Sequence, residues 1–163
     1  MRTTEDKKKI INSLTHVGQI GIVVKDVDAI ECAMERIFGV KPDYRGLTPD
    51  LERYYKGNRG DFAAKMIFYT FANIELEFIQ PIQGESDWTH FMENGREGLH
   101  HFRFSVDNWK DTVEGLAESG IPILMEGRSV KGGHLRWGVM DTEKELTFNI
   151  EIFNEFEAPP EIE

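Results

Sequence analysis

Two glutamates of this chain stand inside apolar runs, Glu77 in IELEFIQ and Glu151 in NIEIF, and two histidines, His100 and His101, open a third run, HHFRFSV. A carboxylate held in the middle of an apolar strand loses hydration and is rarely kept without a partner. Two that face each other need a cation. A neutral His101 imidazole and the amide oxygen of Gln19, at the head of QIGIVV, would bring the donors to four. Such a set suits one divalent ion, Zn²⁺, Mn²⁺, Co²⁺, Ni²⁺ or Mg²⁺, and leaves room for a substrate. Period-two alternation decides whether the four can meet. Ile20, Ile22 and Val24 share one face of their run, which leaves Gln19 on the other; Phe102, Phe104 and Val106 do the same for His101 and Arg103. Leu76 with Phe78, and Ile150 with Ile152, turn Glu77 and Glu151 to that same surface. Alternation alone leaves a plainer alternative standing: two glutamates on a solvent-facing side and a hydrogen-bonded core histidine.

The elements that must position these groups repeat. QIGIVV reads as a strand, and the helix after it, KDVDAIECAMERIFGV, has Asp26 or Asp28 as N-cap, Glu31 placed for a capping box and Gly39 at its stop. Residues Lys41 to Gly60 form a long excursion rich in Pro, Gly, Tyr and charge, followed by strands in FAAKMIFYTF and IELEFIQ. The second half follows the same order. HHFRFSV is a strand; DNWKDTVEGLAESGIP is a helix opened by Asp107 or Asn108 and closed by Gly120, with Trp109, Val113 and Leu116 as its buried stripe. HLRWGVM and TFNIEIF are a strand pair around a polar turn. Between the halves, DWTHFMENG reads as a short helix anchored by Trp88 and Phe91. Aligning the halves places Gln19 opposite His101 and Glu77 opposite Glu151. The expected fold class is α+β, two βαβββ modules in one domain over 16–156, with module one at 16–82, a linker at 83–98 and module two at 99–156. Polar tails at 1–15 and 157–163 flank it.

A chain of 163 residues with 40% hydrophobic and 29% charged residues has ordinary globular usage. Its formal charge of −10 repels phosphate backbones and anionic lipid, so neither nucleic acid nor a membrane is expected as partner. No signal peptide or membrane span is expected either. Cys32, the single cysteine, cannot form an internal disulfide and points to a reducing, cytoplasmic home; a buried helix position explains it better than catalysis.

The stretches QIGIVVKDV, IELEFIQP, GREGLHHFRFSVDN and NIEIF resemble the strand motifs of the vicinal oxygen chelate superfamily, which includes glyoxalase I, methylmalonyl-CoA epimerase and extradiol dioxygenases. They fall in the right order between residues 17 and 154. SDWTHFMENGREGLHH after EFIQP is most similar in phrasing to the methylmalonyl-CoA epimerases. The resemblance implies a cup-shaped, partly open mixed sheet and a divalent metal on Gln19, Glu77, His101 and Glu151. His100 would point to the helix face as a structural residue. The activity implied is removal of a proton α to a carbonyl through a metal-stabilised enolate, on a small molecule such as a CoA thioester or a glutathione adduct, in a homodimer. Glu151 would serve as base, Asp61 as a second acid/base group, and Arg103 would pair with a substrate carboxylate or, structurally, with Glu75 or Glu77. The resemblance has departures. Epimerases usually carry histidine where Gln19 stands, so the ligand set is like that of glyoxalase I (lactoylglutathione lyase), yet Val23 occupies the place of that enzyme's glutathione-contacting arginine. Asp61 holds the place of a glutamate. Gln19 also removes one of the two histidines that an extradiol dioxygenase needs. A non-catalytic binding protein of the bleomycin-resistance type is the alternative from another class.

Other side chains carry simpler expectations. His16, His90 and His134 read as surface residues. Tyr44, Tyr54, Tyr55 and Trp137 could wall a pocket, because the excursion is long enough to fold over the cup, or could pack against a partner subunit.

Overall fold

The computed structural model describes residues 13–129 and 135–155. Strand β1 (Leu14–Val23) runs into helix α1 (Val27–Phe38), where Asp26 caps the first turn by accepting from the backbone N–H groups of Asp28 and Ala29. Glu31 takes no part in that cap and pairs instead with Arg45. Gly39, at φ 69°, ends the helix in the left-handed region where a side chain would be strained.

The excursion is itself built of strands. It holds β2 (Tyr44–Leu47) and a hairpin of β3 (Glu52–Tyr55) and β4 (Asn58–Gly60) before β5 (Ala63–Phe71) and β6 (Ile74–Gln83). Proline, glycine and charge hide these short strands from a periodicity reading. The linker helix α2 (Asp87–Glu93) has Ser86 as N-cap and buries Trp88 and Phe91. Then come β7 (Gly98–Val106), α3 (Trp109–Glu118, capped by Asn108), β8 (Ile123–Arg128), β9 (Leu135–Met140), the one-turn helix α4 (Glu143–Leu146) and β10 (Asn149–Glu155). Strand β8 is the one element of the second half whose sequence announced no strand.

All ten strands of the described residues form one mixed sheet in the order β2-β5-β6-β1-β7-β10-β9-β8-β3-β4. Its first four strands are module one and its next four module two, joined by antiparallel pairing of β1 with β7. Within each module the first strand runs parallel to the last, β1 to β6 and β7 to β10. The β3–β4 hairpin breaks this symmetry, because it leaves module one and pairs with β8 at the far edge of module two.

Each face of the sheet buries its own cluster. On the helix side α1 packs Val27 and Met34 against Ile67 and Phe78, and α3 packs Trp109 against Met140 and Ile152. On the concave side Phe62, Met66, Ile79, Trp88, Met125, Trp137 and Val139 form a third cluster. Burying each of these side chains stabilises the fold by roughly 1.5–3 kcal/mol before entropy is counted. Cys32 is exposed on α1, contrary to the expected buried position, because the buried face of that helix is taken by Val27 and Met34.

Candidate metal centre and substrate pocket

Register puts the polar residues of both modules side by side on the concave face. Across β6, β1, β7 and β10 one row reads Glu77, Gly21, His101 and Asn149, and the next reads Glu75, Gln19, Arg103 and Glu151. Residues two apart share a face, so both rows point into the cup. Seven side chains and one glycine thus occupy the centre of the sheet, and the glycine is used. A Cβ built on Gly21 would lie 2.0 Å from His101 Cε1 and 2.3 Å from its Nε2, so the imidazole lies over bare backbone and reaches toward Glu77 on the next strand.

The four expected ligands converge. His101 Nε2 stands 3.4 Å from Glu77 Oε2 and 3.5 Å from Glu151 Oε2. Gln19 is buried, and its Nε2 donates to Glu75 Oε1 at 2.6 Å, which turns its Oε1 free of any hydrogen bond. His101 Nε2 likewise has no hydrogen-bond partner. Orphaned acceptors at buried positions cost roughly 1–3 kcal/mol each, and a shared cation would satisfy both. Two donors on one divalent ion, at bonds of about 2.1 Å, stand about 3.0–3.4 Å apart in octahedral or tetrahedral geometry. The His101–glutamate separations have that size. Among the described residues no three His, Cys, Asp or Glu side chains are gathered closely enough to hold a metal ion by themselves; the fourth donor here is the Gln19 amide, whose Oε1 has no hydrogen-bond partner. The residues present therefore fit a divalent ion in their chemistry, with two carboxylates within 3.5 Å of one imidazole nitrogen and an unpartnered amide oxygen.

Burial sets the charges of these groups. Loss of hydration pushes the Glu77 carboxyl from 4.5 up to about 7, against the opposing pull of Arg103. Glu151 is raised by the same cause, with His101 pulling the other way. Burial lowers His101 as well, outweighing the attraction of Glu151, so its ring is neutral. A neutral imidazole between two reluctant carboxylates is a site whose electrostatics a cation would reverse.

Above these groups lies a cavity of about 150 Å³. Gln19, Glu77, Arg103 and Glu151 contribute its polar surface, and Leu51, Met66, Phe68, Trp88, Trp137 and Phe153 its apolar walls. Trp88 stacks on Trp137 at 5.8 Å between centroids, and Trp137 in turn lies over Gly127, where a Cβ would come within 2.5 Å of the indole. The Trp88 indole N–H has no hydrogen-bond partner. Arg103 sits over the Phe153 ring at 4.7 Å, with Nη2 3.7 Å from Glu75 Oε1, so the ion pair with Glu75 and the place in the pocket wall both hold.

Asp61 is not brought to this pocket. It lies in a separate depression with Tyr55, Lys56 and Glu85, and its carboxylate accepts from Gln83 Nε2. Alternation explains the placement: Phe62, the next residue, takes the inward position and is fully buried. Of the four aromatic residues expected to wall a pocket, Trp137 alone lines the cavity. Tyr55 is buried against His90, Tyr54 accepts from Arg128, and Tyr44 is exposed on β2. His16 is exposed and His90 pairs with Glu85 and Glu93, while His134 lies outside the described residues.

His100, expected on the helix face, is instead drawn into the site. The β1–β7 register shifts between Gly21 and Ile22, which pair with His101 and Leu99, so His100 is the extra residue of a bulge. That kink lets two consecutive histidines touch, Nδ1 to Nδ1 at 3.0 Å. The doubled histidine was visible in the sequence, but the bulge that joins the rings was not.

Comparison with known proteins agrees with this architecture. Among curated proteins no match was found. A solved Streptomyces coelicolor methylmalonyl-CoA epimerase, in complex with 2-nitronate-propionyl-CoA, superposes with a TM-score of 0.61 at 19% identity, over 90% of this chain and 100% of that one. The Mycobacterium tuberculosis methylmalonyl-CoA epimerase gives 0.60 at 14% identity, over 90% and 91%. A hypothetical protein from Bacillus halodurans gives 0.62 at 15%, over 88% and 96%. At such identities the likeness is one of fold. A family model matches residues 18–139, which takes in Gln19, Glu77 and His101, with Glu151 on the strand beyond. With that match over most of its length, and two pseudo-symmetric modules curled into one cup, the chain belongs to the Glyoxalase/Bleomycin resistance protein/Dioxygenase superfamily.

Proposed function

We propose that this protein is a metal-dependent isomerase or lyase that moves a proton at a carbon α to a carbonyl, with a thioester of the methylmalonyl-CoA kind as its first candidate substrate. The observation that carries the reading is the meeting of two buried carboxylates on one neutral imidazole beneath an apolar cavity. A divalent ion on Gln19, Glu77, His101 and Glu151 would supply Lewis-acid polarisation of the substrate carbonyl.

The remaining chemistry falls to the chain. A glutamate that loosened from the ion, Glu151 or Glu77, would face a substrate in a largely apolar cavity and could take a proton at an Oε atom and return it. Because the two glutamates come from opposite modules, they suit opposite faces of a planar enolate, the task the sequence suggested for Glu151 and Asp61. Asp61, in its separate depression, is placed for neither. Arg103 can release Glu75 to pair with a substrate carboxylate. The apolar walls keep bulk water from the carbanion, and the free Trp88 N–H offers one hydrogen bond to an acceptor.

A second reading, action on a glutathione hemithioacetal, is favoured by the ligand set of one glutamine, one histidine and two glutamates. It is weakened at Val23, which is fully buried in the core and has no access to a thiol cofactor. Incubation of metal-loaded protein in D₂O with methylmalonyl-CoA, and separately with the hemithioacetal of methylglyoxal, tests both by NMR loss of the α-proton. Exchange on the thioester is expected. Turnover of the hemithioacetal alone would reverse the ranking, and exchange on neither substrate with the metal bound would favour a binding protein.

A further inference from the structure

We infer that Asp87 and His100 are positioning residues that fix the tautomer of His101, so that its Nε2 presents a lone pair to the metal. The inference rests on the metal reading for its purpose but not for its observations.

His100 Nε2 lies 2.9 Å from Asp87 Oδ2, and an ionised carboxylate can only accept, so the His100 proton sits on Nε2. Both rings are fully buried, where a charged imidazole costs far more than a neutral one, and the contact between their two Nδ1 atoms takes one proton and one lone pair. A neutral His100 protonated on Nε2 has a bare Nδ1. That atom stands 3.0 Å from His101 Nδ1, so His101 must donate there and carries no proton on Nε2. The opposite chain of tautomers would point a His100 lone pair at the Asp87 carboxylate.

Asp87 is itself held. Asn149 Nδ2 donates to the same Oδ2 at 2.8 Å, while Asn149 Oδ1 accepts from the backbone N–H of Thr142 and Glu143. The Phe91 ring meets His100 edge-on at 5.2 Å and blocks its rotation. The linker helix thus reaches the metal centre through two imidazoles, in the carboxylate–histidine arrangement by which outer residues orient and strengthen metal-binding histidines.

The metal-free protein tests this directly, since ¹⁵N NMR of the imidazoles reads which nitrogen carries each proton. The wild type should show His100 protonated at Nε2 and His101 at Nδ1. Asp87→Ala should convert His101 to a mixture of tautomers and weaken Co²⁺ binding by about 10- to 100-fold. Asp87→Asn, which keeps an accepting oxygen, should move both readings in the same direction by less, and it serves if Asp87→Ala fails to fold. Ser86→Ala removes the cap of α2 and leaves the carboxylate in place, so it should change neither reading. A wild-type His101 protonated at Nε2, unchanged tautomers in both Asp87 variants, or an equal loss in Ser86→Ala would overturn the inference. Correct tautomers without any Co²⁺ binding would leave the relay standing and defeat the metal reading instead.

Discussion

Replacing Gly21 by alanine adds one methyl group to the strand between Glu77 and His101, and the structure says where it would go. The new Cβ would lie 2.0 Å from Cε1, 2.3 Å from Nε2 and 2.4 Å from Nδ1 of His101. The ring must retreat by about 1.4 Å to regain ordinary contact at 3.4 Å, and the buried surroundings leave it little room. Overpacking of this kind costs roughly 1–3 kcal/mol, from which about 0.5–1 kcal/mol is returned because alanine suits a strand better than glycine. The net loss of stability should therefore stay at about 2.5 kcal/mol or less. Metal binding should suffer more. Displacing Nε2 by about 1 Å from its partners is worth about 100-fold, or about 2.7 kcal/mol. Titration with Co²⁺ followed by its visible spectrum measures the affinity, and a thermal melt measures the fold. Gly18→Ala is the internal control, since its Cβ would meet nothing closer than 3.5 Å and should leave both unchanged. A Gly21→Ala protein that binds Co²⁺ within threefold of wild type would refute the packing argument and the place of His101 in the site.

Other outcomes follow from the same geometry. Purified protein should hold about one divalent ion per chain, and elemental analysis should find it absent from folded Glu77→Ala, His101→Ala and Glu151→Ala, while Gln19→Ala binds more weakly because only a neutral donor is removed; full metal in the three would contradict the ligand set. In the metal-free protein Glu77 ionises at about 7 when folded and near 4.5 when unfolded, so between those values the folded state holds the extra proton and stability falls as pH rises. Glu77→Gln should therefore match wild type near pH 4.5 and exceed it above pH 7 by on the order of 3 kcal/mol, read by urea titration at each pH; a pH-independent difference would show that burial does not govern this carboxyl. We also propose a homodimer, as the open edges β2 and β4 and the exposed Tyr44 and Leu47 of β2 suit pairing with another copy. Light scattering should then exceed the 18.8 kDa of one chain, and a monomer at every concentration would refute it.

Much of the site was legible because alternation is a strict rule. Once β1, β6, β7 and β10 were recognised as strands, the faces of Gln19, Glu77, His101 and Glu151 followed, and the repeat of the halves brought them together. What failed did so for local reasons. Alternation cannot foresee a bulge, so it puts His100 on the helix face. Asp61 stands before a strand where the resemblance expects an acid/base group, but the side chain that turns inward there is Phe62. Cys32 is expected at a buried helix position, whereas the helix face it occupies is set by its distance from Val27 and Met34. The excursion defeated the reading of strands because four- and three-residue segments carry too few alternations to show a period.

The hairpin of β3 and β4 ties the order of assembly to the wholeness of the chain. Glu52 meets Arg128 across 76 residues of sequence, so the last wall of the cup closes only after a very long loop has been brought round. High contact order of this kind makes folding slow. Severed at the linker, the first fragment would carry a two-stranded hairpin with nothing to lean on, and the second would expose β8 as a bare edge. The internal repeat is thus not divisible: two modules of one plan are held together by a hairpin that one supplies and the other pairs.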